Sequence, residues 1–150
     1  MSTKIVQFTV ATHVMAGLAH CAAGGGAGVT SATLACSVNA EPSFVRRAIS
    51  KLAKAGLVTT TRGKNGACCL ARPATDITLL DIYRASEAPA TFSLHDYPIK
   101  GRCPISANIS ACMSEVLGCA QQGFEERLAR RTLADMLARM CPLARQIVPV

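Results

Sequence analysis

Pro42-Ser43-Phe44-Val45-Arg46-Arg47-Ala48-Ile49-Ser50-Lys51-Leu52-Ala53-Lys54-Ala55-Gly56 runs straight into Leu57-Val58-Thr59-Thr60-Thr61-Arg62-Gly63-Lys64-Asn65-Gly66, and this stretch, continued to Arg72, decides the reading of the chain. Phe44, Val45, Ala48, Ile49, Leu52 and Ala55 recur at helical spacing and form one apolar stripe. Ser43, Arg46, Arg47, Ser50, Lys51 and Lys54 fall on the opposite face. Pro42 suits a first helical turn, where its missing N–H costs nothing, and Gly56 suits the stop. Residues 57–61 and 67–71 read as two strands around a tip with turn chemistry, so a hairpin follows the helix. Residues 42–72 hold seven cationic side chains (Arg46, Arg47, Lys51, Lys54, Arg62, Lys64 and Arg72) and no Asp or Glu. Elsewhere the two signs nearly balance, so almost the whole net charge of +7 arises here. A cationic helix followed by a cationic hairpin is the arrangement a winged helix needs to dock on DNA.

Working outward, the apolar run at residues 5–23 is broken by Gln7, His13 and His20. Val6, Val10, Val14 and Leu18, flanked by Phe8 and Met15, predict a buried first helix over residues 4–22 rather than a signal peptide. Gly24, Gly25, Gly26 and Gly28 stop it, and Thr30 or Ser31 caps a short second helix over residues 32–37 with Leu34 inward. Asn39-Ala40-Glu41 separates that helix from Pro42. Thr78 and Asp81 predict the cap of a fourth helix, with Leu79, Leu80, Ile82 and Tyr83 available to the core. Residues 87–103, with Pro89, Pro98 and Gly101, are irregular. After Pro104 comes a long amphipathic pattern through Ile105, Ile109, Met113, Val116, Leu117, Ala120, Phe124 and Leu128. A stripe of that length needs a partner, and the simplest is the same helix of a second subunit. Thr132 and Asp135 cap a last short helix with Leu133, Met136, Leu137 and Met140.

The expected architecture is mostly α with a small β-hairpin: a winged helix-turn-helix domain at residues 1–86, an irregular linker or sensor loop at 87–103, and a dimerisation helix plus C-terminal helix at 104–150. No apolar run reaches the roughly eighteen residues of a membrane span. Eight Cys in 150 residues lack the dense regular spacing of a secreted scaffold, which points to reduced thiols and a cytoplasmic setting. A pI near 9.2 and the clustering of charge favour double-stranded DNA over a membrane as the partner.

The residue types assign roles. Ser31, Thr33, Ser43, Arg46, Arg47 and Ser50 are placed toward the major groove, where Arg offers two donors to guanine or pairs with phosphate. Lys51 and Lys54 lie further along and are expected on the DNA backbone. Arg62, Gly63, Lys64 and Asn65 form a wing tip whose cations suit the adjacent minor groove. No catalytic constellation stands out.

Val29-Thr30-Ser31, Leu34-Ala35, the whole of Pro42 to Arg47, Ala55-Gly56-Leu57-Val58, Arg62-Gly63-Lys64-Asn65-Gly66 and Ile77-Thr78-Leu79-Leu80-Asp81-Ile82-Tyr83-Arg84-Ala85 together resemble the Rrf2 family of bacterial winged-helix transcription regulators. That family includes an iron–sulfur cluster regulator, a nitric-oxide-sensitive repressor and a cysteine metabolism repressor. The resemblance covers residues 4–86 closely and the long helix more loosely. It implies a homodimer whose long C-terminal helices pair, binding a roughly palindromic operator. Where relatives often show a further Gly and a Tyr after the hairpin tip, this chain has Ala67 and Cys68.

Cluster-bearing relatives place three Cys just before the long helix, whereas here Cys103 stands alone and residues 87–102 contain none. A cluster needs four ligands, and Cys103 with His95 and Asp96 is a poor set, so no cofactor and no metal is expected. Cys103 precedes Pro104 at a helix N-terminus beside Arg102, and both features favour thiolate. It is the candidate sensor for an oxidant or electrophile, the alternative being a small helix-start residue. Cys112 and Cys119 share a helix face and read as core residues, or as thiols that meet between subunits. Cys68 and Cys69 point to opposite sides of a strand, and Cys21, Cys36 and Cys141 read as packing. His13 and His20, with Cys21, are expected as satisfied core or interface groups rather than a metal site. Alternatives to the thiol-regulated repressor are an iron–sulfur or small-ligand sensor and, more distantly, a thiol enzyme using Cys103 and His95.

Overall fold

The computed structural model describes residues 3–61, 66–95, 98 and 103–147, with side chains for residues 6–140 within those ranges. In chain order the elements are α1 (Thr3–Ala23), β1 (Val29–Thr30), α2 (Ser31–Val38), α3 (Pro42–Lys54), β2 (Val58–Thr60), β3 (Ala67–Leu70), a 3₁₀ turn (Ala74–Asp76), α4 (Leu79–Ala85), α5 (Pro104–Ala129) and α6 (Leu133–Ile147). The three strands form one antiparallel sheet in the order β1-β3-β2. β2 and β3 make the expected hairpin, with Val58 opposite Leu70 and Thr60 opposite Cys68. β1 is an addition to the sequence reading: two residues, with Val29 opposite Cys68. They reach β3 because Gly28 sits at φ 136° in a gap where a Cβ would come within 2.7 Å of Cys69 Sγ.

α1 is the spine of the core. Ala11, Val14, Met15 and Leu18 are buried along it, whereas Val6, expected on the same stripe, is 43 % exposed. α2 begins one residue earlier than predicted because Thr30 is its cap, its Oγ1 accepting from the Thr33 N–H at 3.2 Å. α3 seats Val45, Ile49 and Leu52 in the core, with Phe44 and Ala48 half-buried against it. Each fully buried side chain of this kind stabilises by about 1.5–3 kcal/mol. Ala55, expected on the stripe, is exposed, because the helix ends at Lys54 and Gly56 turns the chain at φ 73°.

α4 carries the predicted capping box. Asp81 N–H donates to Thr78 Oγ1 at 3.1 Å and Thr78 N–H to Asp81 Oδ2 at 2.9 Å. The start of α6 repeats the device with Thr132 and Asp135, at 2.9 and 3.1 Å. The last helix is not short, and it returns to the N-terminal core: Leu133 is fully buried there, with Met136 and Leu137 packed alongside. Leu79 N–H donates to Arg131 O and Leu133 N–H to Ile77 O, both at 2.8 Å, clamping the α5–α6 junction to the entry of α4.

α5 is different. None of its 26 residues is buried. Its inner side touches α4 through the Phe124 ring, edge-on to Tyr83 at 5.4 Å, through Arg84 to Glu125 at 3.0 Å, and through Gln121 to the Tyr83 hydroxyl at 3.2 Å. Its outer side shows Ile105, 71 % exposed, and Val116, 58 % exposed. Among the described residues no helix is long and apolar enough to cross a membrane.

Candidate nucleic-acid interface

The interface is built on the three-residue turn between α2 and α3. Asn39 adopts the left-handed conformation that ends α2, and its N–H together with that of Ala40 satisfies the last carbonyls of the helix at 3.2 Å each. Glu41 and Pro42 then start α3. With Val45, Ile49 and Leu52 holding one face inward, Ser43, Arg46, Arg47, Ser50 and Lys54 are all exposed on the other. No acidic side chain shares that face. Among the described residues the ion pairs are Lys51–Glu87, Arg72–Asp81 and Arg84–Glu125, and none takes Arg46, Arg47 or Lys54. The Arg47 guanidinium lies 5.7 Å from the Phe44 ring centroid, a cation–π contact of about 0.5–1 kcal/mol that orients it without neutralising it.

Lys51 has another employment. Its ammonium is 3.1 Å from Glu87 Oε2, 3.3 Å from Ser86 O and 3.5 Å from Gln7 Oε1. This half-buried side chain, expected on the DNA backbone, ties α3 to the end of α4 and the start of α1. The partners lie 35 and more residues away in sequence, so no local pattern could reveal them. Arg72 likewise turns back, to the α4 capping carboxylate of Asp81 at 3.1 Å.

Thr33 is exposed at the start of α2, its hydroxyl sharing a 2.9 Å bond with Thr30, and Ser31 beside it is half-buried. The wing stem closes through Thr61 N–H to Ala67 O at 3.0 Å and Ala67 N–H to Thr61 Oγ1 at 2.9 Å. The predicted tip residues Arg62, Gly63, Lys64 and Asn65 lie outside the described residues.

Cys103 is the exposed N-cap residue of α5, with Pro104 at the first helical position. As a thiol it makes no capping hydrogen bond. As a thiolate it would collect the Ser106 amide, the Ser106 hydroxyl and the Ile105 amide, and these hold its pKa below the ordinary thiol value. Cys68 is the opposite case, its pKa raised by burial and then by neighbouring Cys69. Cys36, Cys112 and Cys119, expected in packing, are exposed. His13 and His20, expected in the core or an interface, are not buried either: His20 is exposed, and His13 Nε2 lies 3.1 Å from Ser37 Oγ.

A helix-turn-helix with an acid-free basic face, followed by a hairpin, defines a winged-helix DNA-binding regulator. The comparisons agree. A family model described as Rrf2, iron-dependent transcriptional regulator, matches residues 6–139. YwnA of Bacillus subtilis (strain 168), named as an HTH-type transcriptional regulator, is 37 % identical over 109 residues, 72 % of this chain and 80 % of its own length. A solved transcriptional regulator from Lactobacillus plantarum superposes with a TM-score of 0.75 at 31 % identity, covering 92 % of this chain and 91 % of its own. IscR from T. potens superposes with a TM-score of 0.66 at 25 % identity, over 93 % and 87 %. The chain belongs to the Rrf2 family of transcriptional regulators. It is a DNA-binding regulator rather than an enzyme, which removes the thiol-enzyme alternative.

The family description raises iron, and the donor set here does not fit it. Cys103 is the only Cys between residues 70 and 111. Among the described residues no three His, Cys, Asp or Glu side chains converge.

Proposed function

We propose that this chain represses transcription in the cytoplasm as a homodimer on a roughly palindromic operator, reading bases with the first two turns of α3. Arg46 and Arg47 are the readers, Ser43, Ser50, Ser31 and Thr33 lend hydrogen bonds at the groove edge, and Lys54 meets phosphate. Arg62, Gly63, Lys64 and Asn65 at the wing tip approach the adjacent minor groove. The observation that carries this reading is the free charge on one face of α3: three cations exposed, without an ion-pair partner among the described residues, and mounted on a helix locked to the core. Each good bidentate Arg–guanine contact discriminates against the wrong base by about 1–3 kcal/mol.

Selection of bound fragments from random duplexes tests it. Two inverted half-sites about 10–10.5 base pairs apart, or a multiple of that, are expected of a two-fold dimer. Recovery of a single asymmetric half-site would contradict the dimeric reading.

The proposed signal enters at Cys103. Its thiolate-favouring seat at the start of α5 makes it the site for an oxidant or electrophile, and modification there would shift α5 and with it the spacing of the two α3 helices. A gel shift on the selected operator, with wild type and Cys103→Ser, with and without peroxide, tests this step. Wild type alone is expected to release DNA; release by both proteins alike would remove Cys103 from the mechanism.

A further inference from the structure

Arg46, Arg47, Lys51 and Lys54 are the cations of α3, and among the described residues only Lys51 is in an ion pair. Three oxygens surround its ammonium: Glu87 Oε2 at 3.1 Å, Ser86 O at 3.3 Å and Gln7 Oε1 at 3.5 Å. An ammonium has three N–H donors, so these acceptors use them all.

The far end of this tether is firmly held. Ser86 is buried, and its Oγ donates to Tyr83 O at 2.7 Å and accepts from the Ala88 N–H at 3.3 Å. Thr91 N–H donates to Gln121 Oε1 of α5 at 3.1 Å, which clasps the same segment from the other side. Between these anchors Glu87 stands at φ 51°, in the left-handed region. A residue with a side chain stays there only where its surroundings outweigh the strain. The Glu87 carboxylate is 64 % exposed, and an ion pair so open to water adds little to folding. A strained residue holding such a pair points to a use other than stability.

That use lies on α3. Gln7, Phe44, Arg47, Ala48, Lys51 and Ser86 border a cavity of about 290 Å³ between α3, α1 and the end of α4. Val45, Ile49 and Leu52 seat the core-facing side of the helix, but packing does not fill this flank. Lys51 bridges it. Arg47, one turn earlier and lying over Phe44, stands on the same unfilled wall.

We propose that Lys51 is a positioning residue for DNA recognition: held by Glu87 and Ser86 O, it sets the rotation of α3 that aims Arg47 at the base edges. It touches no phosphate itself. The inference rests on the reading of α3 as the DNA-binding helix. Its effect falls on discrimination between sequences, because base readout needs a guanidinium in hydrogen-bond geometry whereas non-specific binding follows charge. Glu87 supplies a test of sign. An acid beside a basic face repels a polyanion, so removing it strengthens binding unless it positions something.

Fluorescence anisotropy of full-length variants on two labelled duplexes, the selected operator and a mixed sequence of the same length, decides the matter. Glu87→Gln should lower the operator-to-mixed affinity ratio by about three- to tenfold, its operator binding weakening although an acid has gone. Its mixed-sequence affinity should equal or exceed that of wild type, and its urea midpoint should not move. Lys51→Met should lower the ratio as well, and the double variant should be no worse than the poorer single one, since both remove one link. Lys51→Arg, which keeps the cation and its reach, should discriminate as wild type does. An unchanged ratio in Glu87→Gln overturns the inference, as does Lys51→Arg failing like Lys51→Met. So does a double variant whose salt slope on the mixed duplex is shallower by about one, because Lys51 then neutralises a phosphate directly. Wild type that binds both duplexes alike overturns the base-reading role of α3 and this inference with it, which tells the two failures apart.

Discussion

α3 and α5 are both amphipathic by sequence, and the structure gives them opposite fates. α3 buries its apolar stripe in its own chain through Val45, Ile49 and Leu52 and leaves a charged face outward. α5 buries nothing completely and leaves Ile105 and Val116 outward. Amphipathicity predicts that a face will be covered; it does not say by which molecule. The chemistry of the exposed face supplies that: unbroken positive charge on α3 calls for a polyanion, and an uncharged seam on α5 for another apolar surface.

The comparison can be broken first where α3 meets the core. Leu52→Ala is expected to cost about 2–5 kcal/mol in urea unfolding, since Leu52 is fully buried and the cavity cannot fill from solvent. A small loss would mean that α3 is not the seated element. Next, Arg46→Ala or Arg47→Ala should weaken operator binding by about 1–3 kcal/mol with little change in unfolding, as both side chains are exposed. On α5 the prediction inverts: Val116→Glu should leave the unfolding of the N-terminal core intact and shift sedimentation to monomer. Thr78→Ala, which removes one half of the α4 capping box, should cost about 0.5–2 kcal/mol in the same urea titration.

The smallest effect is electrostatic. Glu125, held below the ordinary carboxylate range by Gln121 and Arg84, and Asp135, held there by the Thr132 amide and hydroxyl, both have lowered folded values. Their contributions are present above the ordinary carboxylate range of about 4 and are lost as pH falls through the lowered values. Acid titration of Glu125→Gln and Asp135→Asn should therefore show a shallower loss of stability than wild type, and only slightly, because both groups are near solvent.

Much of this was legible in the sequence where the pattern is local and periodic. The stripe of α3, the hairpin stem, and the Thr78–Asp81 and Thr132–Asp135 caps all depend on residues within a turn or two of each other. β1 escaped because two residues carry no period. The contacts of Lys51 with Glu87, Ser86 and Gln7 were not legible either, because these groups approach it only through the fold. The capping pair at Thr132 marked where α6 starts but not that Leu133 would return to the N-terminal core. Cys36, Cys112 and Cys119 looked like core because small apolar residues surround them in sequence; exposure depends on which helix face the chain itself covers.

The central claim is that the exposed basic face of α3 binds DNA, and fluorescence anisotropy of a labelled mixed-sequence duplex across a salt series tests it most directly. Wild type should bind progressively more weakly, and steeply so, as salt rises. The double variant Arg46→Ala, Arg47→Ala should bind at least about tenfold more weakly, with a slope shallower by about one for each phosphate it no longer neutralises. Affinity and slope unchanged in that folded double variant would contradict the account.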